Sequence, residues 1–266
     1  MDPARPRLAP APEPTSEELA RMSLFDHLDE LRKRIMYSLV GLVVTFVPCW
    51  LYVEEIFDFL ERPILKLLPE GQKLAFLGVT DPFILYFKVA ALAAVFLGSP
   101  FLLYQVWNFV APGLYRKEKL YALPFVFFAT MFFLAGGAFA YYIAFPFAVE
   151  FLLGMGQHFQ AVITIERYFG FLLTVILGLG LMFELPILIL LLAIIGVVTP
   201  QFLVKYFRHA VVIIFIVAAI ITPTPDVVNL CLFAVPAILL YLLGTAAAFV
   251  VYRMRKKKEA EAEAEI

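Results

Sequence analysis

YQVWNFVAPGLYRKEK, residues Tyr104 to Lys119, joins two long hydrophobic runs, and the rest of the chain is arranged around it. A turn between two membrane spans must leave the bilayer and satisfy its backbone in water, so the helix breaker Ala111-Pro112-Gly113 is expected here. Three cations crowd the short connection, namely Arg116, Lys117 and Lys119. Because Lys and Arg are enriched in short cytoplasmic loops, the stretch predicts a cytoplasmic turn between two spans.

The same stretch carries rings of the kind that anchor helices at a membrane surface. Four of them lie where the helix ends should meet the interface: Tyr104, Trp107, Phe109 and Tyr115. A single carboxylate, Glu118, stands among the cations. Taken alone, the stretch favours an interfacial anchor with a partly neutralised basic loop over a specific binding role.

The composition identifies the class of protein. The 266 residues are 63% hydrophobic and 16% charged, with a mean hydropathy of +0.90, which is far more apolar than a soluble domain. The apolar residues form long unbroken runs rather than alternating segments of about ten residues, so helices account for them better than a membrane barrel. We predict an all-α integral membrane protein.

Three regions are predicted along the chain. Residues 1–14 are rich in proline and form a disordered tail. Residues 15–252 form the membrane domain, which starts with an amphipathic helix at the capping box Thr15 to Glu18. We expect this helix to lie along the membrane face before it turns inward. Residues 253–266 form a charged cytoplasmic tail.

Six spans are predicted from hydropathy and charge. The first four lie at about 35–53, 82–110, 120–147 and 168–198, with a surface helix in the loop 54–81 and a close helix approach at Gly136-Gly137. The fifth run, 210–221, rises only ~18 Å against a hydrocarbon core of ~30 Å. Basic segments at 32–34 and 253–258 place both termini in the cytoplasm, which requires an even number of spans. The fifth run therefore counts as a span, and we expect the fifth and sixth helices to be short.

The sequence contains no recognisable set of catalytic residues. Phosphate-binding glycine loops, nucleophile motifs and clustered metal ligands are absent, so we predict no enzyme, no metal and no cofactor.

Glu184, in the middle of the fourth span, would cost several kcal/mol as an anion facing lipid. We expect it to be functional, or else protonated and bonded to a neighbouring helix, with Pro186 freeing a carbonyl that could accept the proton.

Glu30 and Glu118 form a second candidate site if the N-terminal helix meets the central turn, the stretch 104–119 described above. Two neighbouring carboxylates would attract adjacent guanidinium groups, because each arginine can form a forked pair with one carboxylate. Each glutamate by itself is an ordinary surface charge, and the spacing in the sequence does not decide between the two interpretations.

Six short motifs stand out along the chain: DHLDELRKR at 26–34, YQVWNFVAPGLYRKE at 104–118, RPI at 62–64, DPF at 81–83, FELP at 183–186 and TPD at 224–226. With these motifs the chain resembles the TatC family of the twin-arginine protein translocase over about residues 24–258. The resemblance implies a cupped bundle of six helices in the bacterial inner membrane. The six-span topology derived from charge agrees with that architecture.

The resemblance implies a receptor for signal peptides with paired arginines, which helps to export folded proteins by using the proton-motive force. Glu30 and Glu118 would bind the arginine pair, while Arg32 and Phe109 would shape the site. Glu184 would offer a polar contact to a signal peptide or partner subunit. Pro63 and Asp226 would hold the outer structure. The implied partners are the single-span subunits TatA and TatB, which would dock at the fifth and sixth helices. The chain would also contact the lipid bilayer and further copies of itself, and no nucleic acid is implied.

Two other classes of function remain open. A proton-coupled secondary transporter would use Glu184 as its proton site, although no internal repeat is visible. A structural assembly factor would need the surfaces of the chain but none of its carboxylates. Solute uptake by the purified protein in vesicles would favour the carrier, and undiminished export without Glu30 and Glu118 would favour the assembly factor.

Overall fold

The computed structural model describes residues 16–65, 74–110, 122–156, 158, 162–222, 224 and 226–264. Within these ranges the chain is helical, apart from turns and one isolated bridge between Ala75 and Thr164. The predicted all-α class is confirmed. The predicted tail 1–14 and most of the central turn, including Glu118, lie outside the described residues.

Ten α-helices follow one another along the described chain. They are α1 Ser16–Leu51, α2 Val53–Leu65, α3 Asp81–Val110, α4 Ala122–Phe139, α5 Phe145–Met155, α6 Ile165–Met182, α7 Leu185–Ile195, α8 Pro200–Lys205, α9 Phe207–Ile221 and α10 Val227–Ala264. A π-helical turn, Ala140–Ala144, joins α4 directly to α5. α2 covers the start of the loop predicted at 54–81, so the expected helix there is confirmed, while its position on the membrane surface stays a prediction.

Five segments are long and apolar enough to cross a membrane, judged by length and composition. They are Leu28–Leu51, Asp81–Phe109, Leu123–Met155, Ile165–Ile195 and Val227–Met254. The fifth predicted span is the shorter apolar helix α9, which has 15 residues and rises ~22 Å. These segments agree with the predicted number of apolar runs, while the six-span topology and its orientation stay predictions.

Three sequence-based expectations need correction. The amphipathic N-terminal segment and the first span form one unbroken helix, α1, without the expected turn at the membrane surface. The third span continues through Glu150 to Met155, because the π-helical turn does not end the helix. The sixth helix, expected to be short, is the 38-residue α10. Its basic and acidic end stays helical because Lys, Arg, Glu and Ala are strong helix formers.

The core lies around α6. In the most apolar 18-residue stretch of segment Ile165–Ile195, 56% of the residues are buried, compared with 6% in that of Leu28–Leu51. α6 is therefore central and α1 peripheral. The close approach predicted at Gly136 is confirmed. A Cβ atom built on Gly136 of α4 would lie 2.7 Å from the carbonyl oxygen of Leu179 and 2.9 Å from Cα of Gly180, both in α6. Only a residue without a side chain allows this contact.

Candidate functional site

Glu30 lies on α1, where it is bound by an arginine of the same helix. Nε of Arg34 donates to Oε1 of Glu30 at 2.7 Å, and Nη2 lies 2.5 Å from the same oxygen. Nη1 of Arg34 donates to Oε1 of Gln105 on α3 at 3.3 Å. The Glu30 and Arg34 side chains are each 27% exposed, and Gln105 is buried. The Arg34 guanidinium therefore connects a half-buried carboxylate on α1 to a buried amide on α3.

Two other predicted residues of this site, Arg32 and Phe109, lie on the same two helices. Arg32 is exposed on α1, two residues from Glu30. Phe109 is half-buried on α3, one helical turn after Gln105, and therefore on the same side of that helix. Glu118 lies outside the described residues, so the structure leaves its predicted proximity to Glu30 as a prediction.

Trp107 packs between α3 and α4, the two helices that flank the central turn. It is 2% exposed, and its ring lies 4.7 Å from that of Phe125 at the start of α4. It also belongs to a small apolar cluster with Leu191 of α7. Trp107 therefore packs inside the protein, so the interpretation of this ring as an interfacial anchor was wrong.

Glu184 lies at a break within the fourth apolar segment, between α6 and α7. It precedes Leu185 and Pro186, and Pro186 lacks the N–H that would continue the helical bonding pattern. The residue is half-buried, and its Oε1 atom is buried without a hydrogen-bond partner among the described residues. The predicted mid-span carboxylate thus stands at a helix break rather than in a continuous helix.

Pro63 lies inside α2, where it changes the hydrogen bonding of the preceding turn. A proline cannot donate to the carbonyl four residues earlier, which is that of Phe59. The Tyr141 hydroxyl from the π-helical turn donates to this Phe59 carbonyl instead, and the Tyr168 hydroxyl of α6 donates to the Leu60 carbonyl at 3.4 Å. Two tyrosines therefore attach α2 to the bundle, while the structural role of Pro63 stays a prediction.

Asp226 caps the start of α10. Its Oδ1 accepts the backbone N–H of Asn229 at 2.7 Å, and its Oδ2 accepts the Asn229 side-chain amide at 2.8 Å. The same amide reaches Thr224 Oγ1 at 3.1 Å. Desolvation acts to raise the pKa of Asp226, but the bonds from Asn229, Thr224 and the Val228 backbone outweigh it and lower the pKa from its ordinary value.

Sequence reasoning missed five partners in these contacts: Arg34, Gln105, Tyr141, Tyr168 and Asn229. Gln105 and Asn229 could have been found as polar residues inside or beside apolar helices, where each needs a partner. The tyrosines carry no such signal, because tyrosine is common in membrane helices. Among the residues that the structure describes, no group of His, Cys, Asp and Glu is arranged to hold a metal.

Comparison with known families decides the identity of this bundle. Residues 26–236 match the family model described as Sec-independent protein translocase protein TatC. The chain belongs to the TatC family. A TatC of Koribacter versatilis is 46% identical over 99% of this chain and 96% of that protein. TatCy of Bacillus subtilis is 35% identical over 92% of this chain and 96% of its own length.

Two solved TatC structures share the fold. A crystal structure of the twin-arginine translocase receptor TatC has a TM-score of 0.74 and 33% identity, and covers 84% of this chain and 98% of its own. A second crystal structure, of the same receptor in the detergent DDM, has a TM-score of 0.76. The chain is therefore an integral membrane component of the Sec-independent protein translocase, as the resemblance implied.

Proposed function

We propose that this chain is the signal-peptide receptor and core subunit of a twin-arginine translocase in the bacterial inner membrane. The observation that carries the proposal is the position of Glu30, a partly exposed carboxylate that already binds a guanidinium beside α3, a helix that flanks the central turn. Family membership supports the same role, because the related crystal structures are those of a twin-arginine translocase receptor. The receptor performs no catalysis.

The contacts of Glu30 suggest how an arginine pair would be recognised. Arg34 uses only Oε1 of Glu30 among the described contacts, so Oε2 has no partner in the part of the chain described. A signal-peptide arginine can approach Oε2, while the second arginine pairs with Glu118 on the central turn. Arginine suits such a site better than lysine because its planar group forms paired hydrogen bonds with a carboxylate.

Arg32 and Phe109 would shape the entrance to this site. The exposed Arg32 lies two residues after Glu30 on α1 and would repel a peptide whose basic groups are misplaced. Phe109 lies on the side of α3 that carries Gln105, and its half-buried ring can support the apolar part of an arginine side chain.

The single-span subunits TatA and TatB would dock at α9 and α10. α9 exposes an apolar stripe that its own bundle leaves uncovered, formed by Val212, Ile213, Ile216, Val217 and Ile220. This spacing follows one face of a helix, which is the surface that another membrane helix can pack against. Glu184 would add an intramembrane polar contact for a partner or signal peptide, and further copies of the chain would complete the complex.

The orientation needed for this function has both termini in the cytoplasm, with six spans including α9. It places Glu30 and the central turn on the cytoplasmic side, where precursors arrive, and α2 and Asp226 on the outer side. The basic residues near the two ends of the helical chain support this orientation. The proton-motive force would drive the export of folded precursors.

Binding of a twin-arginine signal peptide to the purified protein tests the proposal. We expect Glu30→Gln and Glu118→Gln each to weaken binding by about tenfold or more, because each removes a charge-assisted bond. A peptide with both arginines replaced by lysine should lose affinity similarly. Asp29→Asn, a neighbouring exposed carboxylate on α1, is the matched control and should bind normally. Equal binding by all variants would refute the site.

A proton-coupled carrier is the second candidate, because Glu184 stands at a broken helix in the middle of an apolar segment. Carriers place their ion sites at such breaks. Proton-dependent solute uptake into vesicles that contain only this protein, abolished by Glu184→Gln, would establish the carrier. Export that requires Glu30 and Glu118, with no uptake, would exclude it.

A further inference from the structure

A cavity of about 390 Å³ opens at the end of the bundle that carries α2. Its walls come from α2, the π-helical turn and α5, and include Phe59, Tyr141 and Tyr142. The Tyr141 ring is buried and stacks on Phe59 at 4.6 Å, whereas the next residue, Tyr142, is 66% exposed. The π-helical turn thus directs one tyrosine into the protein and leaves the other at the rim of the cavity.

Two opposite charges face this cavity. Arg62 of α2 lines it and lies over the Phe59 ring, with Cζ 5.6 Å from the ring centroid. Glu150 of α5 lines the same cavity. Both side chains are exposed, and no ion pair joins them within the described ranges. A cavity with a separated cation and anion fits a ligand that itself carries an anion and a cation.

An apolar groove of about 290 Å³ adjoins the cavity. Phe59, Tyr141 and Tyr142 line both spaces. From Tyr142 in the π-helical turn, the groove follows α4 back through Ala138 to Leu134, a rise of ~12 Å. Its lining is almost entirely apolar and comes from α2, α3, α4 and α6. The combined space has a charged end between α2 and α5 and an apolar end along α4.

We propose that this space binds one phosphatidylethanolamine molecule, whose phosphate pairs with Arg62, whose ammonium group pairs with Glu150 and whose acyl chain lies in the groove along Ala138. Charge complementarity selects this headgroup. Phosphatidylglycerol lacks the cation that Glu150 needs, and phosphatidylcholine has no N–H to donate to it. With the topology proposed above, the lipid belongs to the outer leaflet. The site is separate from Glu30 and does not depend on the receptor function.

Native mass spectrometry of the full-length protein tests the site. The delipidated protein is mixed in detergent with equal amounts of phosphatidylethanolamine, phosphatidylcholine and phosphatidylglycerol. We expect one molecule of phosphatidylethanolamine to bind about tenfold more tightly than either competitor, since a charge-assisted bond distinguishes it from each. Glu150→Gln should abolish the preference for this headgroup. Arg62→Gln should weaken the binding of all three lipids, because each carries a phosphate.

Matched variants show whether a substitution acts on the lipid site or on the protein in general. Glu166→Gln and Arg167→Gln change exposed residues at the same end of the bundle and should leave the preference intact. Ala138→Leu should fill the groove and weaken binding, whereas Ala135→Leu, on the exposed surface of the same helix, should not. An unchanged melting temperature in each variant confirms that it is folded. Equal binding of the three lipids, or a preference that survives Glu150→Gln, would overturn the proposal.

Photocrosslinking from position 138 in native membranes identifies the occupant directly. A phospholipid adduct supports the proposal. A crosslink to a protein helix, such as that of a single-span partner or a second copy of the chain, would show that the groove is a protein interface and would overturn it.

Discussion

The Tyr141 hydroxyl donates to the Phe59 carbonyl, the acceptor that Pro63 leaves without a helical donor. The two rings also stack, with centroids 4.6 Å apart. A proline that would weaken an isolated helix is thus compensated by a side chain from another element, and α2 is held against the bundle by that compensation.

Tyr141→Phe should destabilise the protein by about 1–3 kcal/mol, because it removes the hydroxyl that donates to the Phe59 carbonyl. Tyr142→Phe, at the exposed neighbouring position, is the control and should change stability little. Pro63→Ala restores a backbone N–H that can donate to Phe59, so Tyr141→Phe should cost less in that background. Thermal unfolding in detergent of the unmodified protein, the Tyr141→Phe and Pro63→Ala variants and their double variant measures this coupling. Strictly additive effects would disprove the compensation.

Gly136→Ala should separate α4 from α6. The added methyl group would lie 2.7 Å from the backbone oxygen of Leu179, which cannot move without shifting α6, so we expect a loss of about 1–3 kcal/mol. Gly170→Ala in α6 meets no atom within 4 Å and should stabilise the helix by about 0.5–1 kcal/mol. Unfolding temperatures that change in the same direction for both variants would argue against close packing at Gly136.

Hydropathy and charge predicted the apolar segments well because lipid requires long helices with internally satisfied backbones. They failed at α10, where the basic residues that end the apolar run do not end the helix. They also failed for the entry to the first span, since α1 is amphipathic and then apolar without any breaker at the junction. Hydropathy locates a membrane boundary, but helix propensity decides whether the helix continues across it.

The candidate site was predicted only in part. Glu30 could be selected from its motif. Its partner Arg34, however, bonds to Gln105, which is 71 positions further along the chain, and this bond depends on the packing of α1 against α3. Pro63 could be selected as a structural residue, yet nothing in the sequence indicates that Tyr141 is its partner. Side-chain pairs between helices depend on register and rotation, which hydrophobic periodicity alone does not determine.

Asp226 should make stability depend on pH. Its pKa is lowered in the folded protein, so its contribution is fully present above the unfolded-state pKa of about 3.9 and is lost as the pH falls through the folded value. Asp226→Asn should lower the melting temperature at pH 7, and the difference from the unmodified protein should shrink in acid. Asp58→Asn, at an exposed position on α2, is the control. A difference that stays constant down to pH 3 would contradict this role.

Gln105→Ala should weaken the binding of a twin-arginine peptide without removing any residue proposed to touch it. Gln105 accepts from Nη1 of Arg34 and thereby turns Nε and Nη2 toward Oε1 of Glu30. Without that acceptor the guanidinium can rotate and Glu30 loses its fixed orientation, so we expect about three- to tenfold weaker binding, equivalent to about 1 kcal/mol. Tyr104→Phe, at the exposed neighbouring position, should bind normally. Fluorescence anisotropy with a labelled signal peptide measures both affinities. Unchanged affinity in Gln105→Ala would mean that Glu30 binds arginine without help from α3, and that the contact between the helices is structural only.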